Sequence, residues 1–450
     1  MTTLPEVGDL EPDVWPRTAR RVDGVLHVGG LDVRDIAEKF GTPAYVLDED
    51  DFRARCRAWR QALPGGDVYY AGKAFLCTAV ARWVADEGLS LDVSTGGELA
   101  VAQKADFPAE RLIFHGNNKS SAEIRRGLAY SVGRFALDSF EEIARVAALA
   151  EEMGVRQRVV VRVTPGVEAH THEYVATGQE DQKFGFSLAG GAAAEAVRRV
   201  VKLPSLELVG LHMHIGSQIF DTQGFALAAH RMVGLLTAIR DEHEVELPEL
   251  NLGGGPGIAY TTEDAPLPVD EFVERLTAVV SKECAAAGYP LPRLAVEPGR
   301  AIAGPTTITV YEVGTIKELA GLRTYVSVDG GMSDNIRTAL YDADYACTLA
   351  SRRSDAPVLL SRLVGKHCEA GDIVVKDEYL PGDLVPGDLV AVPGTGAYCR
   401  SMASNYNHAP RPPVVSVLDG ASTVLVRRET EDDLLRLDLG AAPRMEDSGR

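Results

Sequence analysis

Between residues 66 and 304 the chain alternates two hydrophobic patterns. Short, densely apolar runs end in polar or glycine residues: VYYAGK (68–73), LSLDVS (89–94), LIFHG (112–116), RFALDS (134–139), RVVVRVTP (158–165), LVGLHMHIG (208–216), LNLGGG (250–255) and LAVEPGR (294–300). Runs of this kind are what parallel strands covered on both faces present. Between them lie stretches whose apolar positions recur at helical spacing, such as TAVARWVADE, SFEEIARVAALAEEMG and VDEFVERLTAVVSKECAAAG. Eight strands alternating with helices over roughly 250 residues predict an α/β chain folded as a (β/α)8, TIM-type barrel. A doubly wound open sheet is the alternative, weakened because no G-x-G-x-x-G follows the first strand.

After Pro305 the pattern changes. TTITVYEV, RTYVSVDGG, APVLLSRLVG, DIVVKDEYL, DLVAVPG, PPVVSVL and ASTVLVRRE are strand-like and separated by turn residues. They predict a separate all-β domain of sandwich or barrel-like form. The N-terminal GVLHVGGLDVRDIAEKFGTPAYVLD holds short strand candidates expected to pack with it. The predicted division is therefore 1–46 with the β-domain, 47–304 as the barrel and 305–450 as the C-terminal β-domain. The tail GAAPRMEDSGR is expected to fray.

Composition narrows the partners. A net charge of −19 argues against nucleic acid, whose phosphates it would repel. No apolar run approaches a membrane span, and the acidic, proline-rich start lacks the marks of a signal peptide, so a cytoplasmic protein is expected. The six cysteines (56, 77, 284, 347, 368 and 399) are scattered without a C-x-x-C pair, so they suggest neither a disulfide framework nor a metal site. Each reads first as a small buried hydrophobe.

Barrels of this kind carry their chemistry at the C-terminal ends of the strands. The polar residues there are Lys73, Asp92, Ser94, His115, Asp138, His212, His214, Ser217, the turn Gly253–Gly255, Glu297 and Arg300. A lysine after YYAG could simply reach solvent, or it could be a Schiff-base lysine. GGG could be a plain tight turn, or could present backbone N–H groups to a phosphate. His214 taken alone reads as a packed histidine, and Glu297 could accept a hydrogen bond from a protonated ring nitrogen. Together the set fits pyridoxal 5'-phosphate, which needs a lysine for its aldehyde, donors for its phosphate and a partner for its pyridine nitrogen.

The motifs YYAGKA, HGNNKS, TGQEDQKFGF, GLHMHIGSQ, NLGGGPG, EPGR, DGGMSDNIRTALYDADY, CEAGD and GTGAY span about residues 25 to 420. On them the chain resembles the fold-type III pyridoxal-phosphate decarboxylases. TGQEDQKFGF, SDNIRTALY and CEAGD favour the branch acting on diaminopimelate. The resemblance implies decarboxylation of meso-2,6-diaminopimelate to L-lysine, the final step of lysine biosynthesis. It makes Lys73 the cofactor lysine, His214 the residue stacked on the ring and Glu297 the partner of the pyridine nitrogen. Ser217, Gly254, Gly255 and the turn Glu297-Pro298-Gly299-Arg300 would surround the phosphate, with Tyr398 closing that side. Arg300, Arg337 and Tyr341 would bind the distal carboxylate of the substrate and Glu369 its distal ammonium, with Tyr398 bordering the substrate. Cys368 would supply the proton that replaces CO2. A free thiol titrates at about 8.5, which suits a proton donor near neutrality.

KHCEAGD (366–372) falls in the β-domain while Lys73 sits in the barrel. The resemblance implies a homodimer in which that loop completes the partner's site. Rivals are a relative acting on ornithine, arginine or a carboxylated polyamine, a racemase, and a non-catalytic binding protein. Arg337 weighs against the first, Glu297 against the second, and the presence of both Lys73 and Cys368 against the third.

Overall fold

The computed structural model describes residues 10–167 and 183–440. The TGQEDQ part of one motif (177–182) and the tail 441–450 lie outside the described residues. The chain starts with three short strands, β1 (Arg20–Val22), β2 (Val25–Val28) and β3 (Leu31–Asp32), then helix α1 (Val33–Phe40) and strand β4 (Ala44–Asp48). Asp48 caps the next helix, α2 (Glu49–Ala62), by accepting from the Asp51 N–H.

The barrel follows. Its strands are β5 (Asp67–Ala71), β6 (Ser90–Val93), β7 (Leu112–Phe114), β8 (Arg134–Leu137) and β9 (Gln157–Thr164). A two-residue strand, β10 (Phe186–Ser187), hangs on β9, and β11 (Leu206–Met213), β12 (Glu249–Asn251) and β13 (Arg293–Val296) complete the set. All pairings are parallel, and β13 pairs β5 while β8 pairs β9, so eight strands close into a ring. Each of the eight apolar runs holds a strand, and most strands are shorter than their runs because the polar ends form loops. The chain leaves β13 through the four-residue helix α3 (Arg300–Ala303) and does not make a full eighth helix there. Helix α2 packs on the last long barrel helix (Val269–Ala287) and on the first (Thr78–Asp86), filling that place in the outer ring.

Two apolar layers hold the barrel. Outward residues such as Tyr70, Leu91, Phe114 and Val161 pack under the helices. Inward residues Tyr69, Ile113, Ala136, Val160, Val209 and Ala295 form a separate plug inside the ring. Side chains along a strand alternate faces. The residues two places on from Ile113, Ala136, Val160 and Ala295 therefore also point inward: His115, Asp138, Arg162 and Glu297. A bulge adjusts β11. Leu208 pairs with Val159 but Gly210 with Val160, so one extra residue is inserted. The shift places His212 level with Arg162 and turns the even-numbered His212 and His214 inward.

The second sheet runs β18-β17-β15-β14-β4-β20-β21. Its members are β14 (Thr307–Leu319), β15 (Arg323–Val328), β17 (Val358–Val364), β18 (Ile373–Pro381), β20 (Val414–Leu418) and β21 (Ala421–Val426). Strand β19 (Leu389–Val392) pairs β14 and carries the two-residue β16 (Thr348–Leu349). Strand β4 lies between β14 and β20, so the start of the chain is built into the C-terminal sheet. Among the described residues no helix is long and apolar enough to cross a membrane.

Candidate active site

The inward layer above the apolar plug is polar and buried. Glu297, one residue past β13, is 7% exposed. Its Oε1 lies 2.8 Å from His115 Nε2 and accepts from Asn251 Nδ2 at 2.8 Å. Its Oε2 lies 3.1 Å from His212 Nε2. Burial alone would raise this carboxyl, but the two histidines outweigh it and hold the acid well below its usual range. Arg162 stands 3.6 Å from Asp138 and over the Phe184 ring at 4.4 Å.

The turn after β12 needs its glycines. A Cβ on Gly253 (φ +71°) would meet the Met213 carbonyl at 2.2 Å, and one on Gly254 the Glu297 carbonyl at 2.2 Å. On Gly255 (φ +127°) it would meet the Gly216 carbonyl at 2.6 Å. The Gly254 N–H donates to His214 Nδ1 at 3.1 Å, which leaves that histidine's proton on Nε2. Burial and nearby Lys73 push His214 well below its ordinary value, so it stays neutral. Gly254 thus spends its N–H on orienting His214, a role the spacing did not suggest.

The EPGR turn presses on the end of β5. The Pro298 carbonyl accepts from the Ala71 N–H at 3.1 Å, and a Cβ on Gly299 would meet the Ala71 side chain at 2.9 Å. Arg300 begins α3 there. Its Nη2 donates to the Ser217 hydroxyl at 3.0 Å, its Nη1 to the Tyr260 hydroxyl, and it lies 4.7 Å from the centre of the Tyr398 ring. Tyr398 has φ +64°, an uncommon conformation for a non-glycine residue, held in part by its N–H donating to the Ala74 carbonyl at 2.9 Å.

Lys73, His214, Ser217, Gly254, Gly255, Glu297, Gly299, Arg300 and Tyr398 line one cleft of about 400 Å³. Pro298 is the only expected cofactor contact that does not line it. The donor set fits pyridoxal phosphate: an exposed lysine, a carboxylate held ionised, a neutral imidazole, and a glycine turn beside a serine hydroxyl and an arginine. HGNNKS has a different task. Buried Lys119 pairs with Glu142 at 2.8 Å and donates to the carbonyls of Gly116 and Ala136, tying β7 to β8.

Arg300 also lines a neighbouring cleft with Arg337, Tyr341, Tyr260 and Gln218. Arg337 and Tyr341 stand at the two ends of the one-turn helix α4 (Arg337–Tyr341), four apart and so on one face. Arg337 is 5% exposed, donates to the Tyr345 hydroxyl and stacks on Tyr260 at 4.6 Å. Among the described residues no carboxylate pairs with it, and its buried Nε has no hydrogen-bond partner. Tyr260 and Tyr345, which carry both arginines, went unnoticed in the sequence because isolated tyrosines read as core.

The structure does not bring Cys368 and Glu369 to these clefts. Both are exposed, and neither lines the space around Lys73 or Arg337 of its own chain. The loop is nevertheless firmly built. Asp372 accepts from the His367 N–H at 2.7 Å and the Met332 N–H at 2.6 Å, with Gly331 and Gly365 packed against its carboxylate. The Tyr406 hydroxyl donates to Glu369 Oε1 at 2.9 Å. Cys368 is the one exposed cysteine of the six.

The family described as "Pyridoxal-dependent decarboxylase, pyridoxal binding domain" matches residues 49–304. A diaminopimelate decarboxylase from Mycobacterium leprae is 57% identical over 440 residues, covering 96% of this chain and 93% of its own. The chain belongs to the diaminopimelate decarboxylase family. The Mycobacterium tuberculosis relative of that name is 55% identical over 444 residues, covering 96% of this chain and 99% of its own. A crystal structure of the M. jannaschii diaminopimelate decarboxylase in complex with L-lysine superposes with a TM-score of 0.88 at 30% identity, over 94% of this chain and 97% of that one. Family membership makes pyridoxal phosphate the cofactor of this chain.

Proposed function

We infer that this chain removes CO2 from the D-configured centre of meso-2,6-diaminopimelate and releases L-lysine, in the cytoplasm, with active sites completed across a homodimer. The observation that carries the substrate is Arg337: a buried guanidinium without a carboxylate partner among the described residues, one arginine away from the cofactor cleft. A planar guanidinium binds both oxygens of a carboxylate at once. Arg300 spans the two clefts, so a substrate with one amino-acid end at Lys73 would place a second carboxylate by Arg337. Ornithine, arginine and polyamines lack that group.

When bound, pyridoxal phosphate supplies an aldehyde that condenses with amines and a ring that draws electrons from the substrate α-carbon. Lys73 Nζ would hold the aldehyde. Glu297 would accept the hydrogen bond of a protonated pyridine nitrogen, His214 would cover one ring face, and Ser217, Gly255 and Arg300 would hold the phosphate. Cys368 Sγ donates a proton to the carbon that has lost CO2, and Glu369 reads the distal ammonium.

Those last two roles require a second chain. Their exposure, their absence from the lining of their own cleft and the firm build of their loop all support a loop that docks elsewhere. The division into an N-terminal segment, a barrel and a C-terminal β-domain serves the same end, with the lysine on one unit and the acid on the other. Mixing tests this reading. Chains carrying Lys73→Ala and chains carrying Cys368→Ala should each be inactive on meso-diaminopimelate. After subunit exchange, hybrid dimers have one intact site, and activity should recover to about a quarter of wild type. Hybrids seen by native mass spectrometry without recovered activity would refute the shared site.

A further inference from the structure

We propose that His115 and His212 are positioning residues which, together with Asn251, hold Glu297 as an ionised, acceptor-only group and so require a proton on whatever it meets in the cleft. The inference rests on reading that cleft as a pyridoxal phosphate site. It concerns residues behind Glu297 that do not themselves line the cleft.

The geometry is that of a clamp. Three donors from three strand ends reach one carboxylate: His115 past β7, His212 on β11 and Asn251 on β12. A carboxylate offers about four acceptor positions. Oε1 uses two, on His115 and Asn251, and Oε2 one, on His212. One position on Oε2 remains for the cleft, where Glu297 is a lining residue. Asn251 is itself fixed, because its Oδ1 accepts from the Gly253 N–H at 2.9 Å, so its amide group must turn its donors to Glu297.

His212 can take only one tautomer here. Its Nδ1 is buried with no partner, so a proton placed there would have no acceptor. The ring proton therefore sits on Nε2 and points to Glu297. The two imidazoles lie side by side, ring centres 4.6 Å apart. Two cations that close would repel, and the surroundings separate them. Burial takes His212 down to about 4, so it is neutral. Burial also works to lower His115, but Glu297 and Asp92 outweigh it and raise it. Arg162, Lys73, Asp92 and Glu98 are other charged groups facing this cluster. Three donors, two of them imidazoles, favour the ionised carboxylate over the protonated acid. A neutral pyridine nitrogen would then face it lone pair to lone pair, whereas a protonated one donates. The clamp thus sets the cofactor's protonation state from behind.

The bulge in β11 is part of the device. Without the extra residue, position 211 would point inward in place of His212, and His214 would also be lost from the lumen. One local irregularity thereby aims both the clamp histidine and the cleft histidine.

The test loads the full-length protein with pyridoxal phosphate labelled with 15N in the ring and reads the nitrogen's chemical shift. Wild type should show a protonated nitrogen. His212→Leu and His115→Leu should still take up cofactor but move the signal toward the unprotonated nitrogen. Their kcat should fall about 10- to 100-fold, as for partners that orient a functional group, with KM within roughly threefold. His212→Gln, whose amide can still donate to Glu297, should restore most of both readouts. Should a leucine variant not fold, His212→Asn, whose amide falls short of Glu297, takes its place. Cofactor uptake with an unmoved 15N signal in these variants overturns the clamp. So does a stoichiometric metal ion in wild type, since the three ligand atoms of His115, His212 and Glu297 lie within 4.8 Å of one another. Failure of wild type to take up cofactor overturns the reading of the cleft itself.

Discussion

Lys73→Ala should leave a folded protein that still takes up pyridoxal phosphate but no longer holds it covalently, with turnover of meso-diaminopimelate lowered by more than about 10³-fold. The residue lies two positions past the end of β5, exposed into the cleft, where strand polarity delivers the chemistry of the barrel. Its backbone setting explains why the lysine is there. Tyr69 plugs the lumen, Tyr70 packs outward with its hydroxyl on the Phe75 carbonyl, and the chain then turns Lys73 over the strand ends. The nearest rival by sequence motif is Lys119, but its Nζ is committed to Glu142 and two carbonyls in a fully buried site. Borohydride reduction followed by peptide mass spectrometry reads the attachment directly. Cofactor reduced onto another lysine in wild type, or trapped as well in Lys73→Ala, would remove Lys73 from the role.

Arg337→Leu should lower kcat/KM for meso-diaminopimelate by roughly 30- to 5,000-fold, the consequence of removing one partner of a buried charge pair worth about 2–5 kcal/mol. Leucine keeps the apolar base of the side chain, and Tyr260 and Tyr345 remain to fill the wall. The loss should appear mainly with the natural substrate. D-Lysine keeps the D-configured centre but has no distal carboxylate, so any turnover of it should change little, and the discrimination between the two should narrow. That discrimination is large in wild type because a site built for a required polar group rejects an analogue lacking it, by up to roughly 10⁴–10⁵-fold. Steady-state kinetics on both compounds checks it. An equal fractional loss on both would mean that Arg337 supports the fold near the cleft and does not read the carboxylate.

Much of this site was legible in the sequence because barrel strands advertise themselves. Seven of the eight apolar runs end in polar or glycine residues that stand out in the sequence, and strand polarity gathers those ends. Lys73, His214, Glu297 and Arg300 could thus be placed in one cleft before any coordinates. What remained hidden follows from the same physics. Arg162 interrupts RVVVRVTP and reads as a solvent-facing charge, whereas the inward parity set by Val160 puts it in the lumen. The inward turn of His212 and His214 depends on a bulge, which a run of apolar letters does not reveal. Helix α2 precedes the first barrel strand and was missed because the expected helix would have followed the last. The N-terminal strand β4 was expected near the β-domain, but its position between β14 and β20 rests on pairings about 260 and 370 residues apart in sequence. Tyr260, between Arg300 and Arg337, lies in no motif, and Tyr345 closes one without drawing a role of its own.

The central claim is most directly tested by giving the purified protein pyridoxal phosphate and an equimolar mixture of meso-diaminopimelate, ornithine and arginine, and following CO2 with the amine products. The account predicts CO2 and L-lysine in equal amounts, with ornithine and arginine untouched. Release of putrescine or agmatine at a comparable rate, or no L-lysine while the cofactor is bound, would contradict it.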